Sequence, residues 1–227
     1  MSIVQFLLSG VCHQLPENSL VYGGRVLPIC ARCTGTFVGA VVALLALWAM
    51  GCGHRSGLPF RGALWVLGAL GALWAVDGVN SLVSELRGAA WLYGATNALR
   101  LITGVGCGLG LGALLYPLYH YALWRDATEP PVIAGWTQLA TLLVTGAVLA
   151  SVAIGWRGAP YSPWAGAAVG SVLVVFALTN TVLVAQIAHR RGVCVSTIQV
   201  APYWVAGAAL GLAEMSAVAL LRQVVMP

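Results

Sequence analysis

Six long apolar stretches separated by short polar ones dominate the chain, running roughly over 34–52, 62–80, 96–118, 132–156, 164–188 and 199–222. Each approaches or exceeds the ~20 residues needed to cross the hydrocarbon of a bilayer. A spanning segment must satisfy its backbone internally, so each stretch predicts a helix. The alternation of a barrel strand is absent. The third stretch begins with polar Thr96, Asn97 and Arg100 and has Pro117 near its end. Residues 81–95, "SLVSELRGAAWLYGA", are too polar to cross. They predict an interfacial segment with Trp91 and Tyr93 at headgroup level. The opening "MSIVQFLLSG" has no basic leader and only a short apolar run, so it predicts a short interfacial or re-entrant helix rather than a signal peptide.

Composition agrees with the pattern. The 227 residues are 60% hydrophobic and 7% charged, against roughly 25% charged in soluble domains. The fold class is therefore all-α: a polytopic integral membrane bundle of about six transmembrane helices, with the lipid bilayer as its first partner. Three parts are expected: an N-terminal cap over 1–33 with a Cys/His cluster, a three-helix core over 34–125, and three further helices over 126–227. The proline-marked "RDATEPPVIAG" divides the last two. In "TGVGCGLGLGALL", Gly104, Gly108 and Gly112 share one helix face and Gly106 and Gly110 another. Such spacing lets backbones approach, within the chain or against a partner protein. A phosphate loop is disfavoured, since no strand precedes it and no Lys-Ser/Thr follows.

All eleven basic residues are arginines, and the net charge is +5. They are scattered between apolar blocks, which argues against nucleic-acid binding. With six spans both termini share one side, which also receives 81–95 and 157–163. Arg25, Arg32, Arg87, Arg157 and Arg222 fall there, and Arg55, Arg61, Arg125, Arg190 and Arg191 opposite. Five against five leaves the positive-inside rule undecided. Discounting Arg25 and Arg32 as members of a site tips the count toward an extracytoplasmic N-terminal side. Counting spans also gathers the cysteine cluster, Asp77, Asn97, Arg100 and Glu214 at that same face.

The candidate chemistry starts at "CHQLPENSLVYGGRVLPICARCTG", residues 12–35. Cys30 and Cys33 form a C-x-x-C knuckle, with Cys12 and His13 upstream. Two thiolates from such a knuckle plus a distant Cys or His make a tetrahedral zinc set. The expected ligands are Cys12, His13, Cys30 and Cys33, or three of them with water. A dithiol–disulfide centre is the competing reading, because C-x-x-C lowers one thiol's pKa and Arg32 sits between the sulfurs. Three inert buried thiols fit a polar loop poorly, though Cys52, Cys107 and Cys194 fit that role.

Charges inside a span are costly and face partners or water. Asp77 and Arg100 lie at similar depths on consecutive helices, where they can pair to lock spans two and three or belong to a functional site. Glu214 is a candidate proton carrier, or a partner of Arg100 or Asn180. His54, His120 and His189 lie at span ends and read as structural, His189 heading an "HRR" topology anchor. The nine tryptophans fit interfacial belts.

"CHQLPENS…LPICARCTG", the Asp-Gly at 77–78 and "TNALRLITG" at 96–104 together resemble the bacterial and archaeal membrane family known as domain of unknown function 2085. The resemblance covers residues 12 to about 118. Asn18 stands where that family usually has arginine, and Ser81 where a glutamine often follows the Asp-Gly. The family carries no activity. The resemblance implies a bacterial or archaeal cell membrane, and that Cys12, His13, Cys30, Arg32, Cys33, Asp77, Asn97 and Arg100 belong to one unit. Three function classes follow: a metal (zinc) or thiol-redox membrane protein; an accessory subunit of a larger energy-converting or photosynthetic membrane complex; and a small-solute or ion transporter using Asp77, Arg100 and Glu214. No nucleophile–base pair is legible, so no catalytic residue is assigned.

Overall fold

The computed structural model describes residues 2–156, 158–188 and 192–225. Arg157, His189, Arg190 and Arg191, read above as loop charges and an anchor, lie outside them. A short helix α1 (Ile3–Ser9) is followed by six long ones: α2 (Ala31–Ala49), α3 (Arg61–Arg87), α4 (Asn97–Leu123), α5 (Trp136–Gly155), α6 (Tyr161–Ile187) and α7 (Thr197–Val225). These six are long and apolar enough to cross a membrane. Strands β1 (Ser19–Tyr22) and β2 (Arg25–Cys30) form an antiparallel hairpin before α2. At the far end of α2, β3 (Arg55–Gly57) pairs in parallel with β4 (Thr128–Pro131).

Two helices run beyond their expected ends. Helix α3 continues through Ser81–Arg87 because nothing breaks it before Gly88, whose φ of 66° supplies a left-handed stop. Only 88–96 is left as connection. Helix α4 starts under the Thr96 side chain, which accepts from the Leu99 N–H at 3.2 Å, and carries Pro117 without ending until Leu123. Packed neighbours let a membrane helix tolerate an interior proline.

The glycine faces set the centre of the bundle. A Cβ at Gly104 would strike the Arg32 carbonyl, one at Gly108 the Thr36 carbonyl and one at Gly112 the Ala40 carbonyl. Gly35 is equally closed against the Leu101 carbonyl of α4. Helices α2 and α4 are thus in backbone contact. On the other face of α4, Gly106 meets Leu70 of α3 and Gly110 meets Leu67. Helix α5 rides on α4 where Gly146 faces Leu109 and Val105. Helices α6 and α7 form a second close pair, closed at Gly207 against Thr181. Helix α6 also packs on α2 and α4, and α7 on α1.

This packing predicts opposite outcomes for two glycine substitutions. Gly108→Leu forces α2 and α4 apart and should cost about 3 kcal/mol or more. Gly68→Leu, on a face with open space around it, should cost almost nothing. Thermal unfolding midpoints in one detergent compare them directly.

Candidate metal centre

The cap is built by local turns. Val-Tyr-Gly-Gly-Arg-Val is a tight hairpin in which Gly23 and Gly24 both have positive φ, 52° and 72°. Two such residues match the twist of the flanking strands. Tyr22, beside the turn, is buried, stacks on Trp164 at 4.9 Å and donates its hydroxyl to the Ala153 carbonyl at 2.5 Å. Burial pushes its phenol up to about 12. Strand β2 then delivers Cys30 as the N-cap of α2, where its sulfur accepts from the Cys33 N–H at 3.4 Å. The C-x-x-C therefore straddles the first turn of a membrane helix.

Cys12 arrives from the other side. Its N–H bonds to the Leu8 carbonyl at 2.9 Å, continuing the turn of α1. Gln14 then takes a φ of 57°, unusual for a residue with a Cβ. The Gln14 N–H donates to the Cys12 sulfur, 3.4 Å away. The Gln14 side chain donates to the carbonyls of Gln5 and Pro28, both at 3.2 Å, and so joins α1 to β2. The Cys30 N–H also donates to the Cys12 sulfur at 3.2 Å.

The outcome is a compact triad. The sulfurs of Cys12, Cys30 and Cys33 all lie within 4.8 Å of one another, and all three thiols are free. They sit among Leu8, Ile29, Ala168, Val172 and Met215, so apolar residues of α1, α6 and α7 wall them. Cys12 is the thiol that most readily carries charge. Hydrogen bonds from the Cys30 and Cys33 thiols bring its pKa down against the opposing effect of burial. The same contact with Cys12 holds the Cys30 thiol up. His13 is exposed, and its ring nitrogens are not in this group.

Arg32, between the two knuckle cysteines, points away from the sulfurs to Asp77 of α3. Its Nε donates to Asp77 Oδ2 at 2.9 Å, and its Nη2 reaches the same oxygen, the Asp77 carbonyl at 3.0 Å and Ser81 Oγ at 2.7 Å. Asp77 is wholly buried. Its other oxygen accepts from the Tyr93 hydroxyl at 3.0 Å, and Thr103 of α4 closes on Oδ2 at 3.5 Å.

An Asp77–Arg100 pair is not formed. Arg100 donates instead to Asn97 Oδ1 at 3.1 Å, nearer the cap end of α4, where its charge stays half-exposed and costs less to hold. Asn97 in turn donates to the carbonyls of Glu17 and Ser19 at 2.9 and 3.0 Å, fastening the cap to α4. Glu214 stands apart in the α6–α7 pair, accepting from Asn180 Nδ2 at 2.9 Å. At the opposite end of the bundle, His54 bonds Asp126 at 2.8 Å and stacks between Trp124 and His120, a packing arrangement. Cys52 is buried and donates to the Val132 carbonyl.

Four residues of this region lay outside the expectations from sequence. Ser81 and Tyr93 complete the shell of the ion pair. Gln14 shapes the Cys12 loop. Arg222, read above as a loop charge, donates from α7 to the carbonyls of Ser9, Cys12 and His13 at 3.1, 2.9 and 3.3 Å. The "YGG" hairpin signal was present in the sequence. The Arg222 contact had none, because it joins residues more than 200 positions apart.

Residues 12–114 match the family described as predicted membrane protein, domain of unknown function 2085. The matched segment carries the cysteine triad, the Arg32–Asp77 pair, Asn97 and most of α4. A stretch of 35 residues, 15% of this chain, is 40% identical to a protein of Methanothermobacter thermautotrophicus described as uncharacterized. It spans about a third, 32%, of that relative's length. No solved structure matches the chain.

Two substitutions test the ion pair beside the triad, and a third tests the Cys12 loop. Asp77→Asn leaves Arg32 without its counter-charge and should cost about 3 kcal/mol, whereas Thr103→Val should cost under about 1 kcal/mol. Both are measured as shifts in the unfolding midpoint in detergent. Arg222→Ala releases the Cys12 loop and should speed alkylation of Cys12 on the order of tenfold, read by peptide mass spectrometry.

Proposed function

We propose that this is an integral membrane protein whose cap binds one soft divalent ion, zinc being the best fit, on the thiolates of Cys12, Cys30 and Cys33. The observation that carries the reading is the convergence of three free sulfurs within 4.8 Å, two of them already receiving backbone N–H bonds. Two thiolates on one tetrahedral zinc stand about 3.8 Å apart, so the triad needs only a small contraction. Backbone N–H donors to sulfur are the outer contacts that orient thiolate ligands. Three thiolates on a divalent ion leave one negative charge, and Arg222, bonded to the Cys12 carbonyl, is a positive group beside it. The fourth position is left to water or an added ligand, since His13 lies outside the group. Such a centre ties together a cap too small to have a core of its own.

The test is elemental analysis and thiol counting on protein purified in detergent without chelator. The expected result is about one zinc per chain, lost in Cys12→Ser and Cys30→Ser and kept in Cys52→Ser. Metal-free protein with two of the three cap thiols oxidised would replace this reading with a dithiol–disulfide centre.

A further inference from the structure

The cap end of the bundle holds a second recess, distinct from the sulfurs. It lies between the last turns of α3, the 88–96 connection, the first turn of α4 and the turn at Pro16–Asn18, and encloses about 380 Å3. That is the low end of small-molecule sites, the size of a headgroup rather than of a drug. Its lining includes Glu17 and Glu85 on one hand and Arg100 on the other. No carboxylate lies within ion-pair distance of Arg100 among the described residues. Arg100 is tethered by Asn97, which the cap carbonyls fix in turn. Opposite charges thus face one cavity without closing on each other.

The walls are also held in place. Ser81 and Tyr93 line the recess while their hydroxyls are bonded to Arg32 and Asp77, and Ser84 Oγ accepts from the Trp91 N–H at 3.0 Å. The buried ion pair therefore shapes the recess from beneath. Preorganised charges of both signs recognise a ligand that carries both. A guanidinium with free N–H groups takes an oxyanion in bidentate fashion, and two carboxylates take an ammonium.

We propose that this recess binds a phosphorylated primary amine, its phosphate on Arg100 and its ammonium between Glu17 and Glu85. The recess opens at the end of the spans, where a bilayer presents this chemistry as an ethanolamine headgroup. The same chemistry exists in a free phosphoamine. The site does not depend on an ion at the sulfurs.

Two measurements on the full-length protein test it. Delipidated protein in detergent is titrated calorimetrically with O-phosphoethanolamine. In parallel, protein from nanodiscs of mixed phosphatidylethanolamine and phosphatidylglycerol is weighed by native mass spectrometry for retained lipid. Binding in the titration identifies a free solute, and selective retention of phosphatidylethanolamine identifies a lipid; either supports the site. Glu85→Gln, an exposed and structurally mild change, and Arg100→Gln should each weaken the observed binding by about tenfold. The proposal is overturned if neither probe is bound selectively, or if the selectivity survives undiminished in both variants.

Discussion

A guanidinium placed between two cysteines and clasped by a buried carboxylate organises the cap end of this protein. Isolated, neither charge would be stable at that depth, since removing an ion from water costs several kcal/mol. Together they are neutral and held by further hydrogen bonds: Arg32 meets both Asp77 and Ser81, and Asp77 also meets Tyr93 and Thr103. The pair links the first turn of α2, the body of α3, the 88–96 connection and α4. Because Arg32 is committed to Asp77, the cysteines on either side of it are turned the other way, toward Cys12. One ion pair thereby separates a dry sulfur face from a polar recess.

That division requires the helices to be close. Lipid gives helices little hydrophobic reason to associate, so close backbone packing must do it. Gly35 on α2 and Gly104, Gly108 and Gly112 on α4 provide the contact, and the first turns of both helices come to lie side by side. The last two helices supply what the family-matched segment lacks. Met215 and Val172 wall the sulfurs, and Arg222 grips three carbonyls of the cap. Gly10 of the cap lies so near the Met215 backbone that no side chain fits between them.

Hydropathy and glycine spacing made the six helices and their central contact legible, because both signals are local and the bilayer leaves helix as the main option. The C-x-x-C was legible for the same reason. Its third partner could be named, but spacing alone did not show that His13 faces outward while its neighbour Cys12 turns inward to the sulfurs. A pairing of Asp77 with Arg100 rested on depth alone. Depth along a span does not say which way a side chain points, and Arg32 had been counted with the cap. Helix α3 was stopped too early because Ser81, Ser84 and Glu85 were read as a separate interfacial segment too polar to cross, although such residues lie comfortably in a helix end that leaves the bilayer.

The central claim is that three cap sulfurs share one metal ion. X-ray absorption at the zinc edge on the purified protein measures the ligand shell itself. The account predicts three sulfur scatterers near about 2.3 Å with one light atom completing a tetrahedron. A shell of nitrogen and oxygen alone, or one sulfur at most, would contradict it.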